Sequence, residues 1–388
     1  MSNHHNTNLN TPEQQHFFRM LATGDVQEIR ASVTKNPALL DSCDYRNFGG
    51  TPLTIACFSN RPTIVNLLLE LGADPNRKSD WPMGPWSPLH CALFHHDRQL
   101  VQLLISRGAL VDVHTAAGLG DCDAVRHLLD ADPSRVNERG GDGCQPLHFA
   151  DTIEVAKLLL DRGAQINGRC IDHYSTPVQY LCTIRPEVAR FLLRTGAEAD
   201  IFSAVLCGNV ESIESLLLAN SIHLNARINQ TFFPPGSEHD VHNIMTFSVG
   251  MDATPLHAAA KGNCPVSVAV LVKHGMSPNI RGGYDHATPL HTAAWSNCLE
   301  SAQSLLEHGA EIDARSGHLH NNTPAGWAIV AGSDRVFALL MDRGATVQPW
   351  FLKDAREACE GRFDPFSCVP ASQREKIFAR VNASQHSN

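Results

Sequence analysis

Thr254-Pro255-Leu256-His257-Ala258-Ala259-Ala260 returns as Thr288-Pro289-Leu290-His291-Thr292-Ala293-Ala294, 34 residues later. Weaker copies stand at Thr51-Pro52-Leu53-Thr54-Ile55-Ala56, Ser87-Pro88-Leu89-His90-Cys91-Ala92, Gln145-Pro146-Leu147-His148-Phe149-Ala150, Thr176-Pro177-Val178 and Thr323-Pro324-Ala325. A motif with this period marks a stack of helical repeats. Each residue type has a local task. Thr caps a helix, and Pro suits its first turn, where the missing N–H costs nothing. Leu packs the short helix inward, and small Ala lets neighbouring helices approach.

A second helix follows in each unit, read from apolar residues at helical spacing. Ile64-Val65 with Leu67-Leu68-Leu69 is one example, and Val101 with Leu103-Leu104-Ile105 is another. It closes on Gly72, Gly108, Gly163, Gly196, Gly309 or Gly344, where glycine can take the left-handed conformation that ends a helix.

These motifs resemble the ankyrin repeat family over nearly the whole chain. The resemblance implies an all-α solenoid of helix-turn-helix units with β-hairpin fingers between them, about ten units in all. It also implies that the motif histidine bonds the backbone of the adjacent turn. The function it implies is non-catalytic binding of a protein partner through the concave face and the finger tips.

The Pro-equivalent positions fall at 16, 52, 88, 112, 146, 177, 200, 255, 289 and 324, with a partial unit from 348. Three gaps are short, at 88–112, 177–200 and 324–348. There Leu110-Val111-Asp112, Glu198-Ala199-Asp200 and Thr346-Val347-Gln348 leave no room for a finger. The units starting near 16, 112 and 200 resemble one another, and their second helices run into Asn36-Pro37, Asp132-Pro133 and Asn220-Ser221 instead of Gly-Ala. Duplication of a block of three units accounts for this pattern. It requires fingerless junctions at 109–112 and 197–200. One finger is long, with its insertion at about 226–252; repeat insertions map to loops on one face, often the binding face.

The expected organisation is a disordered 1–12, a repeat array over 13–348, a helical cap over 349–381 that covers the last repeat, and a disordered tail at 382–388. The polar, Asn-rich stretch from Met1 to Gln15 has no apolar run of the secretory kind. No transmembrane stretch is expected.

Hydrophobic residues at 43% and charged residues at 18% exclude a chain disordered throughout. A net charge of −9 argues against nucleic acid as the partner. The 12 cysteines are scattered without a Cys-x-x-Cys pair, which predicts reduced thiols, a cytoplasmic location and no structural metal. No catalytic signature stands out. Gly140-Gly141-Asp142-Gly143 reads as a turn rather than a phosphate loop. Two histidine groups, Glu238-His239-Asp240 with His242 and His318 with His320, read as polar surface. The sequence predicts no cofactor, no catalysis and a monomer. An enzyme with a site among the repeat loops is the contrasting class; convergent buried polar residues would favour it. A regulatory protein whose insertion orders on binding is a further alternative.

Aromatic residues carry interface energy, so those in fingers and at the ends of first helices are the candidates for partner binding. They are Tyr45, Phe48, Phe58, Trp81, Trp86 and Phe94, which form the densest group, with Tyr174, Phe232, Phe233, Tyr284 and Trp295. The group at the N-terminal end is expected to form an exposed apolar patch around the stiff Trp81-Pro82-Met83-Gly84-Pro85-Trp86 segment.

Overall fold

The structure, a computed structural model, describes residues 10–93, 97–233, 243–317 and 323–347. The chain divides into two compact units, Met1–Leu181 and Cys182–Asn388. The expected C-terminal cap, the two histidine groups, Phe94 and the third fingerless junction's end lie outside the described residues.

In the first unit the helices are α1 (Pro12–Thr23), α2 (Val26–Lys35), α3 (Pro52–Phe58), α4 (Pro62–Glu70), α5 (Pro88–Leu93), α6 (Arg98–Ser106), α7 (Val113–Gly118), α8 (Cys122–Ala131) and α9 (Ile153–Asp161). The division between units falls inside α10 (Pro177–Ile184). The second unit continues with α11 (Pro186–Arg194), α12 (Ile201–Leu206), α13 (Val210–Ala219), α14 (Ile244–Ser248), α15 (Pro255–Lys261), α16 (Pro265–Lys273), α17 (Pro289–Trp295), α18 (Leu299–Glu307), α19 (Pro324–Ala331) and α20 (Asp334–Asp342). Short first helices pack side by side through small residues: Ala258, Ala259 and Ala260 of α15 and Ala293 and Ala294 of α17 are fully buried. Leu271, Leu305 and Leu340 of the second helices close the core behind them.

The Thr-Pro starts behave as capped helix entries. Thr51 Oγ1 accepts from Thr54 N at 3.2 Å, and Asp112 and Asp200 do the same for α7 and α12, which lack Thr-Pro. The motif histidines do hold the adjacent turn. His257 Nδ1 meets Thr254 Oγ1 at 2.8 Å, while Nε2 lies 3.1 Å from the Ala287 carbonyl. A carbonyl can only accept, so Nε2 carries the proton. His148 makes the equivalent bond to the Ser175 carbonyl at 3.1 Å. The glycines that end the second helices have φ between 87° at Gly344 and 104° at Gly196, the left-handed region.

Both described fingerless junctions are present: α6 reaches α7, and α11 reaches α12, through extended segments without a finger. The related units also share a local shape. α2, α8 and α13 each run into a 3-10 turn, at Pro37–Asp41, Pro133–Asn137 and Ser221–Asn225. The fingers are slighter than hairpins of paired strands. Among the described residues their ladder bonding is reduced to isolated antiparallel bridges, Asp44 with Gly50 and Gly282 with Ala287. Turn geometry and finger-to-finger bonds, such as Gly317 N to the Asp285 carbonyl at 2.7 Å, take over.

Two boundaries are corrected. The first helix begins at Pro12, not near 16: Thr11 and Gln14 form a reciprocal capping box, so Thr11-Pro12 is itself the motif's start. Order extends before position 12, since Asn10 Nδ2 donates to Asp44 Oδ1 at 3.2 Å. The insertion is pinned at its base by Ile228 N to Ala253 O at 2.9 Å, Asp252 N to Ile228 O at 2.8 Å and the Arg227–Asp252 ion pair at 2.9 Å.

Candidate functional site

In the second unit, α15, α17 and α19 present their exposed faces around a cavity of about 600 Å³. Its walls are aromatic. The Trp295 ring, at the end of α17, lies 5.7 Å from Trp327 of α19 at 74°, and Tyr284 of the finger lies 6.3 Å from the same ring. His291 supports Trp327 from behind at 5.2 Å. These edge-on and tilted arrangements hold the rings in place without filling the groove. Tyr284 is 72% exposed and Trp295 48% exposed. Val249 and Gly250 of the insertion form part of the rim. Thr292 adds a hydroxyl to the lining.

Lys261, the last residue of α15, enters this groove half-buried. Burial lowers its pKa from the ordinary lysine value. No ion pair to its ammonium occurs among the described residues. The groove thus joins flat apolar walls to one desolvated cation.

Tyr284 and Trp295, two of the candidates named from the sequence, line this one cavity. Trp327 was not singled out. It occupies the fifth place of Thr323-Pro324-Ala325-Gly326-Trp327, where α15 and α17 carry Ala258 and Thr292. Aligning the copies at that place would have found it, along with Phe149 and Tyr180.

The N-terminal aromatic group does not form one exposed patch. Trp86 is 6% exposed. It packs edge-on against His90 at 4.7 Å and Phe149 at 6.1 Å, and its Nε1 donates to Asp142. Trp81 and Phe48 are half-buried against the core. Phe48 meets Phe58 at 5.3 Å, which leaves Phe58 and Tyr45 exposed. The Tyr45 hydroxyl donates to Asp80 Oδ2 at 3.3 Å. Tyr174 is exposed under the Arg169 guanidinium at 4.9 Å. Phe232 and Phe233 turn inward onto the fully buried Phe202, at 5.2 and 5.8 Å. The rings were drawn inward because these fingers carry too little strand pairing to stand without apolar staples.

A second feature was invisible to motif reading. In the first unit Asp142, Asp172 and His173 converge, each with its side chain about 15% exposed. Burial pushes the Asp142 carboxyl up to about 6, opposed by His173 and by the Trp86 donor. The Tyr180 hydroxyl is buried beside them without a hydrogen-bond partner.

Capped helix pairs stacked on small residues, with a groove across their short helices, define a repeat protein of the interaction class. A family model described as ankyrin repeats in three copies matches residues 37–114, 113–203 and 201–316. The chain belongs to the ankyrin repeat family. The second and third matches begin at Val113 and Ile201, the first residues of α7 and α12, where the fingerless junctions end. Among curated relatives, the ANK repeat-containing protein nipk-1 of Caenorhabditis elegans is 43% identical over 135 residues, 33% of this chain and 20% of that protein. Alpha-latrocrustotoxin-Lt1a of Latrodectus tredecimguttatus is 29% identical over 142 residues, 35% of this chain and 8% of the toxin. The chain thus spans a small part of either relative's length. The solved human ASB11 ankyrin repeat domain is 26% identical, with a TM-score of 0.36, covering 62% of this chain and 100% of that one. Among the described residues no helix is long and apolar enough to cross a membrane.

Proposed function

We propose that the chain binds a protein partner, without catalysis, through the groove of α15, α17 and α19. The observation that carries this is the pair of exposed rings, Tyr284 and Trp295, standing over a cavity of about 600 Å³ whose floor offers the unpaired Lys261 ammonium. Aromatic walls that are already held by Trp327 and His291 bind with little ordering cost. The chemistry that fits is an apolar side chain of the partner flanked by a carboxylate for Lys261. Buried thiols such as Cys57, Cys91 and Cys144, whose pKa values burial raises, support a reducing, cytoplasmic setting.

Peptide display selected against the purified chain tests the reading. Recovered peptides should pair an apolar residue with Asp or Glu and lose at least tenfold in affinity for Trp295→Ala. Peptides that bind wild type and Trp295→Ala/Tyr284→Ala equally would place recognition elsewhere and end this proposal.

A further inference from the structure

Asp142 lies at a finger tip in the left-handed region, at φ 54°. Its backbone is fixed on both sides. Its N–H donates to the Gly84 carbonyl at 3.1 Å, and its own carbonyl accepts from Ile171 N at 3.0 Å and Asp172 N at 3.1 Å. Trp86 Nε1 then orients the carboxylate by donating to Oδ1 at 2.8 Å. The free oxygen, Oδ2, faces His173 Nε2 at 3.6 Å, and Asp172 Oδ2 faces the same nitrogen at 3.7 Å. The three atoms lie within 4.8 Å of one another.

These separations are too long for hydrogen bonds from an imidazole, which run to about 3.2 Å. They match ligand atoms around a metal instead. Four N or O ligands at ordinary zinc distances stand about 3.4 Å apart on the edges of a tetrahedron. Charge points the same way: two carboxylates meet on side chains about 15% exposed, and a divalent cation between them would cancel their charge. The Trp86 bond supplies the outer-shell support that fixes a metal-binding carboxylate. An independent sign comes from Tyr180. Its hydroxyl is buried with no partner, on a side chain 8% exposed, and its ring stands 6.2 Å from that of His173. A water completing a metal's coordination gives that hydroxyl the partner it lacks.

We propose that Asp142, Asp172 and His173 bind a divalent transition-metal ion, with a coordinated water within reach of the Tyr180 hydroxyl. The imidazole favours zinc or a neighbouring first-row metal over calcium and magnesium, which prefer all-oxygen shells. The ion would tie the finger bearing Asp142 to the one bearing Asp172 and His173. The enclosed setting admits an ion and its water rather than a substrate, so the site is structural.

The test uses the full chain, stripped with chelator and titrated with zinc by calorimetry. Because the chain holds 21 histidines and 12 cysteines, the readout is the difference between wild type and variants. Asp172→Asn and His173→Gln should each remove one bound zinc per chain, or weaken it at least tenfold. Asp142→Asn, which keeps an oxygen for Trp86, should do the same. Cobalt(II) in wild type should give visible d–d bands without thiolate charge-transfer absorption. Equal zinc binding by wild type and all three variants means a bare Asp–His–Asp network and overturns the proposal. A thiolate band assigns the metal to cysteines and also overturns it. Should the variants fail to fold, the wild-type cobalt spectrum decides: no d–d bands, no site.

Discussion

Trp86 Nε1 donates to Asp142 Oδ1 at 2.8 Å, across 56 positions of sequence. The bond joins the Trp-rich finger to a buried carboxylate in the next finger along the chain. Removing the donor leaves Asp142 without its nearest neutral partner in a desolvated place. Trp86→Phe keeps most of the ring packing against His90 and Phe149, so the loss isolates the bond. It should cost about 1–3 kcal/mol in chemical unfolding. Trp86→Ala, which also empties the ring's site, should cost about 3–5 kcal/mol. Tyr45→Phe, whose hydroxyl bond to Asp80 is exposed and long at 3.3 Å, should cost under about 0.5 kcal/mol.

The same tryptophan explains the glycines beside it. A Cβ built on Gly141 would stand 2.4 Å from Trp86 Cδ2, inside any allowed contact. Gly141→Ala should therefore displace the indole and cost about 1–3 kcal/mol by overpacking. Gly163→Ala is the control, because its Cβ would meet nothing within 4 Å and only its φ of 92° resists the change. Its cost should be about 1–2 kcal/mol from backbone strain alone. Trp86 fluorescence separates the two: a shifted emission is expected for Gly141→Ala and an unchanged one for Gly163→Ala.

Acid should act through the motif histidines. Burial lowers His257 from 6.5 to about 4, and His148 from 6.5 to about 4. The unfolded chain takes up these protons near pH 6.5, whereas the folded chain resists until about 4. Stability is thus full above pH 6.5 and falls as pH drops from 6.5 to 4. The slope approaches about 1.4 kcal/mol per pH unit for each histidine. His257→Gln retains a donor for the Ala287 carbonyl but cannot titrate. Unfolding curves across this window should show a shallower acid slope for the variant; parallel slopes would mean that His257 is not the responsible group.

The residues explain why the fold was legible and the sites less so. Thr254-Pro255 and Asp112 announce helix starts because capping is local, and the missing fingers follow from counting residues between Gly108 and Asp112. Trp327 broke the pattern only at one place in a degenerate copy that lacks Leu and His, so its partnership with Trp295 needed α17 and α19 side by side. Trp86 looked like an exposed anchor because composition cannot tell a finger tip from a finger folded onto its neighbour. Asp142, Asp172 and His173 are ordinary turn residues in sequence. Their convergence depends on Gly84, Gly141 and Gly143 letting the fingers close together, and that is tertiary information.

Recognition and stability should separate at the groove. Tyr284 and Trp295 are exposed at 72% and 48%, so their removal deletes little buried area. Tyr284→Ala and Trp295→Ala should each change unfolding by less than about 1 kcal/mol. Trp327→Ala is different: its ring holds Trp295, Tyr284 and His291 together at 5.7, 6.3 and 5.2 Å, so both stability and binding should fall, by about 2–4 kcal/mol for stability. Lys261→Met keeps the apolar stem over the groove and removes the desolvated charge. Unfolding should stay within about 0.5 kcal/mol of wild type, while affinity for an acidic peptide drops roughly tenfold and for its amide counterpart hardly at all. The contrast between the two peptides carries the argument, since a general loss of packing would weaken both equally.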